Sequence, residues 1–557
     1  MPENNIGGNN MKNRLFVSFI LIFLILLAIP VFASGSQSGN QARPASGVYQ
    51  RDSNLNAPGT LPIAKTTVPL RIGVEHNPRV ENFQTNWQVL QLERNANFKL
   101  TFEVYPMGEL NQKIELMVMA GGADLPDMVW GDQSLGVVTK YGQAGMVIRT
   151  NDYWQTSAYY YNQRKGEFTI DLLKYITSYD GNIYGMFGIL ESIQSDYASW
   201  MMIYEPWLQK LNLEMPKTIA DFTNVLRAFR DRDPNGNGLK DEIPVIGEKD
   251  SMFSNFLRPM MNPFIYTQPD YWILNNGRID VAFNKPQWRE GLRYAKSLFD
   301  EGLVSPLSFT QDSSQMTGLI SQSNHIIGSF ARWSGSNIGV NDPKRLDYIV
   351  LAPLEGPGGR QWPWTPVMPR VNTLITKNCK TPEAAFALCD YMYSEEMSLL
   401  NRFGEKGVDW LEPAPGDVSA FGAVGFPASM KQILAWGILQ NKILAETGPR
   451  MIQGKWANGT VPGGLDHMIP IGRSIGPVIQ AANRNPITGL IYNEREQQVM
   501  DEFHSTIISY VNQSYARFVT GDLSIDRDWD NYVAQFERMG LREVLGAVQS
   551  CWDRVSK

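Results

Sequence analysis

Between residues 68 and 130, short apolar runs alternate with stretches of helical spacing, and few folds accept that pattern. Val68-Pro69-Leu70-Arg71-Ile72-Gly73-Val74 is a short apolar run ending in glycine, as a buried first strand does. Residues 79–96 carry Val80, Phe83, Trp87, Leu90 and Leu92 at helical spacing, and Phe98 to Val104 alternates as a second strand. Asn111 to Ala120 is a Met-rich amphipathic helix, and Leu125 to Trp130 leads into a third strand. Strands separated by helices predict an α/β fold class with a largely parallel sheet. Ligands of such sheets sit beyond the carboxyl ends of the strands. That rule puts His76 and Trp130-Gly131-Asp132 on one rim.

At 557 residues the chain exceeds one hydrophobic core and fits two lobes with appendages. A net charge of −6 with no basic stripe excludes a nucleic-acid partner. Lys12 and Arg14, the apolar run from Leu15 to Ile29 and the Val31-Phe32-Ala33 cleavage pattern predict a signal peptide over residues 1–33. The polar residues 1–10 do not belong to it, which leaves Met11 as an alternative start. The mature protein is therefore expected to be secreted, periplasmic or extracellular. No cysteine follows the run, so no lipid anchor is expected. Residues 34–66, rich in Ser, Gly, Gln, Asn and Pro, are expected to form a disordered linker.

The segment 233–242 has the layout of an EF-hand-type calcium loop. Asp233, Asn235, Asn237 and Asp241 take positions 1, 3, 5 and 9, Gly238 takes position 6, and Leu239 at position 7 offers its carbonyl. Position 12 is Pro244, so the usual bidentate Glu is missing and Glu242 is its nearest substitute in a shortened loop. The alternative is an Asn/Gly-rich turn whose side chains cap their own backbone. All donors come from one segment and none is left for chemistry, so calcium there would be structural.

Cys379, Cys389 and Cys551 form neither a disulfide framework nor a zinc knuckle by spacing. Cys379 and Cys389 either pair in an oxidising compartment or stay as buried thiols. Gly-x-Ser-x-Gly, His-Glu-x-x-His and Walker sequences are absent, and Asp409/Glu412 and Glu395/Glu396 read as solvated pairs rather than a glycosidase acid and base. No enzyme is expected. Aromatics carry the stronger signal, with 15 Trp and 22 Tyr. Trp130, Trp200, Tyr266, Tyr271, Trp272, Trp333, Trp362, Trp364 and Trp410 lie near predicted strand ends or turns. Sugars present apolar C–H faces and outward hydroxyls, so a sugar cleft needs flat rings beside polar groups. His76, Asp132, Glu191 and Arg332 are the polar candidates by position.

Several motifs, in order, resemble the maltose/oligosaccharide-binding type of ABC-importer solute-binding proteins. They are Leu125 to Met146, Asp180 to Met186 with Glu191, Tyr204-Glu205-Pro206-Trp207-Leu208, Pro216-Lys217-Thr218 and Gly328 to Trp333. Pro382 to Trp410 is similar to the large Paenibacillus-type, alginate-binding-like branch, in which the calcium loop recurs. The resemblance implies a periplasmic-binding-protein-like fold of class II, with two α/β lobes joined by hinge crossovers. Crossovers are expected near Gly188–Ser192, Pro366–Asn372 and Ala414–Phe426. Lobe one is then 67–190 plus 371–420, and lobe two is 191–370 plus 421–557. The implied function is hinge-closure capture of an oligosaccharide by a monomer that hands it to ABC permease subunits. A secreted polysaccharide-active enzyme and a sensory input protein are the alternatives.

Overall fold

The computed structural model describes residues 50–556, apart from 169, 192–199, 250–256, 267–268, 333–341, 343, 362–366, 416–429, 435–438 and 454–486. Residues 51–557 make up one compact unit. Its strands in chain order begin with β1 (Val68–Glu75), β2 (Phe98–Tyr105), β3 (Met128–Gln133), β4 (Met186–Leu190) and β5 (Trp200–Tyr204). Next come β6 (Trp272–Asn275), β7 (Arg278–Val281), β8 (Ser329–Arg332), β9 (Tyr348–Leu351), β10 (Glu355–Gly356) and β11 (Gly359–Arg360). The last are β12 (Arg370–Ile375), β13 (Trp410–Leu411), β14 (Lys431–Gln432) and β15 (Arg450–Ile452).

The first sheet has the order β15-β4-β12-β3-β1-β2. β1 pairs in parallel with β2, from Val68 opposite Phe98 to Glu75 opposite Tyr105, and with β3. The connecting helix Trp87–Ala96 starts where the Asn86 side chain accepts the Gln88 N–H and stops at left-handed Asn97, φ 62°. Asparagine tolerates that conformation better than other residues with a Cβ. β12 returns antiparallel between β3 and β4, and β15 runs parallel to β4. A smaller sheet, β8-β5-β9, is antiparallel. The stretch 243–246 lies parallel beside β8, through Ile243 opposite Ile327 and Ile246 opposite Phe330. β10 and β11 make a hairpin, with Glu355 opposite Arg360 and Gly356 opposite Gly359.

The apolar side chains gather into two large clusters. One takes residues between Leu55 and Ile189, then Val371 to Leu400 and Ile443 to Met451. The other takes Met201 to Leu354 and Ile487 to Val548, including the helices Ser505–Thr520, Trp529–Arg538 and Leu541–Val555. Two boundary expectations are corrected here. Residues 50–66 are not a linker: Leu55, Ile63 and Ala64 are buried in the first cluster, and Asn56 N–H donates to Ile63 O at 2.9 Å. The start of lobe two at 421 is the second: Gln440 bridges Val80, Ile443 to Met451 lie in the first cluster and β15 pairs with β4, so residues 440–452 stay with lobe one. Most of the crossover expected at 414–426 lies outside the described residues. A three-residue strand is too short to show a period, which is why the sequence hid it.

Glu383 anchors the N-terminal segment. Its oxygens accept from Arg51 Nη1 (3.1 Å), Ser157 Oγ (2.8 Å) and the Asp52 N–H (2.8 Å), and the residue is buried. Glu383→Ala is expected to cost about 1–2 kcal/mol and to open residues 51–66 to protease before the rest of the chain. Unchanged proteolysis at that segment would contradict the anchor.

Asp390, on the helix Pro382–Met392, accepts the N–H groups of Tyr160 (2.9 Å) and Tyr161 (3.0 Å) at the start of the helix Tyr159–Arg164. Burial pushes its carboxyl from 3.8 up to about 6, against those hydrogen bonds. The folded chain therefore holds this proton more tightly than the unfolded chain. Its contribution is full below pH about 4 and is lost as the pH climbs through about 6. The melting temperature of Asp390→Asn is expected to lack that part of the pH dependence. Identical pH slopes in variant and parent would refute the assignment.

Candidate ligand cleft and calcium loop

The carboxyl ends of β1, β3, β4 and β15, and the start of antiparallel β12, lie along one edge of the first sheet. On that edge His76 is exposed, and its N–H donates to Tyr105 O at 2.7 Å. Asp132 is open to solvent with Arg370 Nη1 at 3.9 Å. The Glu191 N–H donates to Ile452 O at 2.8 Å, which sets the half-buried Glu191 beside Gln453. Sequence reasoning missed Gln453. Its Nε2 donates to Glu167 O at 2.7 Å, while its buried Oε1 has no hydrogen-bond partner among the described residues. No motif flags a lone glutamine, and only the position of β15 brings it to the rim.

Four aromatic expectations are corrected. Trp130 has no exposed surface: its ring meets Phe102 edge-on at 5.7 Å, and Gly448 packs against its face. β3 is an inner strand covered on both faces, so even its terminal half buries its side chains. Trp272 is 3% exposed and stacks on His504 at 5.5 Å, inside the second cluster. Tyr271 and Trp410 are core residues too; Tyr271 OH donates to Asn512 Oδ1 (2.8 Å) and Trp410 Nε1 to Gly404 O (3.0 Å). Closeness to a strand end did not separate rings on a cleft from rings under a loop. Trp200 and Arg332 are opposite one another at the end of the second sheet where the chain enters from β4. Trp333, Trp362 and Trp364 fall outside the described residues. The three cysteines are buried and unpaired, and burial pushes the Cys379 thiol up to about 11.

The loop 233–242 joins the helix Ile219–Asp231 to the stretch 243–246. Asp233 Oδ1 accepts from the N–H groups of Gly236 (2.8 Å) and Asn237 (3.1 Å), and its Oδ2 from Gly238 (3.0 Å). Asn235 Oδ1 accepts from Asn237 N–H (3.0 Å), and Asn237 Oδ1 from Leu239 N–H (2.7 Å). Asp241 collects the amides of Asn235 (3.0 Å), Asn237 (2.9 Å) and Asn324 (3.2 Å). These are the side-chain-to-backbone turns of an Asx-rich loop. Glu242 departs from that account. Its Oε1 is buried without a donor, and burial, then the charges of Asp233 and Asp241, push its carboxyl above the usual range. A buried carboxyl oxygen without a donor, beside the charges of Asp233 and Asp241, is what a hard cation would relieve. Among the described residues no cage of three His, Cys, Asp or Glu side chains is assembled.

The sequence profile of bacterial extracellular solute-binding proteins matches residues 80–398. The chain belongs to that family. It is 25% identical over 496 residues, 83% of this chain and 86% of the relative, to the fructooligosaccharide ABC transporter substrate-binding protein FusA of Streptococcus pneumoniae serotype 4. It is 24% identical over 324 residues, 57% of this chain and 62% of the relative, to the lipoprotein LipO of Bacillus subtilis. The structure of an EF-hand mutant of S. pneumoniae FusA in complex with fructo-nystose superposes with a TM-score of 0.73 at 21% identity, covering 88% of this chain and 99% of that one. The alginate-binding protein AlgQ2 without calcium ion gives 0.65 at 22%, covering 89% and 100%. The fold of this solute-binding protein is therefore periplasmic-binding-protein-like, α/β with a mixed sheet. Its family and neighbours are substrate-binding proteins rather than enzymes. Among the described residues no helix is long and apolar enough to cross a membrane.

Proposed function

We propose that this solute-binding protein captures an oligosaccharide outside the cytoplasm and delivers it, chemically unchanged, to the permease subunits of an ABC importer. The observation that carries this is the similarity to the fructooligosaccharide-binding FusA across 83% of the chain, together with the polar rim at the strand ends. Lobe one would be 51–190 with 371–452, and lobe two 191–370 with 453–557. Closing about the crossovers would bury the ligand between them, as hinge proteins do. His76 and Asp132 would meet the ligand from lobe one, Glu191 and Gln453 from the crossovers at the ends of β4 and β15, and Trp200, Arg332, Trp333 and Trp362 from lobe two. The monomer would be secreted through the segment 1–33. Asp233, Asn235, Asn237, Asp241, Glu242 and the Leu239 carbonyl would hold one structural calcium ion, which ties a helix to the second sheet and supplies no chemistry to the ligand.

The deciding experiment is a thermal-shift screen of the purified chain against oligosaccharides, with calorimetry and product analysis on each hit. A stabilising glycan recovered intact supports the proposal. A glycan shortened by pure protein replaces it with an enzyme, and no stabilisation by any oligosaccharide removes the carbohydrate reading.

A further inference from the structure

Five acidic residues are buried among the described ones: Glu248, Glu383, Asp390, Asp409 and Glu496. Four have donors. Glu383 and Asp390 are satisfied as described above, Asp409 by the Glu405 N–H (2.9 Å) and Lys442 Nζ (2.8 Å), and Glu496 by Arg554 Nη2 (2.6 Å), Ser550 Oγ (2.8 Å) and the Asn493 N–H (2.9 Å). Glu248 is the exception: it is 2% exposed, and neither carboxyl oxygen has a hydrogen-bond partner among the described residues. Such a group costs free energy unless something outside the chain meets it.

Its place in the fold says what that is. The stretch 243–246 runs parallel to β8 with Ile246 opposite Phe330, so Glu248, two residues on, reaches the level of Arg332. Arg332 is opposite Trp200, where the chain enters the second sheet. Glu248 therefore sits at the carboxyl end of its strand on the crossover side, where ligands of α/β sheets bind. Poor local packing is not the cause. Gly247 N–H donates to Ser308 Oγ (3.0 Å), Gly247 O accepts from Gln311 Nε2 (2.6 Å), and the Lys249 N–H donates to Gln311 O (3.2 Å). The backbone on both sides is held while the carboxyl group is left open. That same bond commits the Gln311 amide nitrogen, and its Oε1 is a further buried acceptor without a donor.

We infer that Glu248, with Gln311 beside it, is the specificity-determining acceptor of the second lobe and selects an uncharged, polyhydroxyl ligand over a uronate. The inference rests on the oligosaccharide reading and narrows it. Sugar hydroxyls are donors and complete the acceptors, whereas a uronate carboxylate would face a like group and be repelled.

The test is calorimetry of the calcium-loaded protein with kestose, maltotriose, xylotriose, cellotriose and trigalacturonate, on the parent, Glu248→Gln and Glu248→Ala, with ligand-free melting curves. A neutral trisaccharide should bind the parent and lose about ten- to a hundredfold in affinity in both variants. Glu248→Gln should melt roughly 2–4 °C higher without ligand, because a buried carboxyl group without donors is gone. Trigalacturonate should bind none of them. Unchanged affinity in both variants, a lowered ligand-free melting temperature for Glu248→Gln, or a parent that prefers trigalacturonate would each overturn the inference while leaving the oligosaccharide reading standing. A parent that binds none of the five sugars overturns both.

Discussion

Removing calcium is expected to lower the melting temperature by on the order of 10 °C, and adding it back to restore the loss. A site filled a thousandfold above its dissociation constant contributes about 4 kcal/mol by mass action. In a lobe of this size each kcal/mol moves the transition by roughly 2–4 °C. The structural reason lies in how unevenly the loop is satisfied. Asp233 holds three backbone N–H groups and Asp241 three side-chain amides, but Glu242 Oε1 has no donor and feels both other carboxylates. Asp233→Ala should melt low and ignore calcium, since it removes both the turn and the first donor. Glu242→Gln should instead raise the melting temperature in chelator and shrink the calcium response, because it relieves the crowding of charge. A melting curve that chelator does not move would end the calcium reading.

The next largest effect is expected from one methyl group. Gly188 lies in β4 between β12 and β15, opposite Arg370 on one side and Arg450 on the other. A Cβ there would come within 2.3 Å of Asn372 Nδ2 and 2.9 Å of Arg450 Nη1. Neither can simply step aside. Asn372 Nδ2 donates to Gly448 O at 2.8 Å, and Arg450 Nη1 donates to the same carbonyl at 3.1 Å and also to Glu446 O. Gly188→Ala is expected to cost about 2–3 kcal/mol by overpacking. It should also weaken oligosaccharide binding about tenfold, because these three strands carry Glu191, Arg370 and Gln453 to the rim. Melting curves and calorimetry check both effects. Gly166→Ala, where an added Cβ meets nothing within 4 Å, is the control and should change neither. Equal behaviour of the two variants would show that β4 tolerates the methyl and that the rim does not depend on it.

The residue pattern made the α/β class and the oligosaccharide-binding type of solute-binding protein readable, because strand and helix periods are local and several motifs recur in order. It misled where side chains answer to distant chain. Trp130 and Trp272 have the composition and position of cleft residues, yet one lies under Gly448 and the other under His504, 318 and 232 residues further along by number. Residues 50–66 have the composition of a linker, and the partners that order them include Glu383 and Ser157.

Sequence alone determined what depends on neighbours along the chain: the alternation of β1 to β3 with their helices, the Asx turns of 233–242 and the motif order that marks the family. Spacing dictates these because hydrogen bonds and apolar stripes within a few residues decide them. Tertiary structure alone decided that β15 returns to the first sheet, that Gln453 reaches the rim, and that Glu248 is buried without a donor. Those facts depend on which groups are absent from a side chain's surroundings once the chain has folded. Desolvation is a property of the whole packed neighbourhood, and no spacing along the chain encodes it.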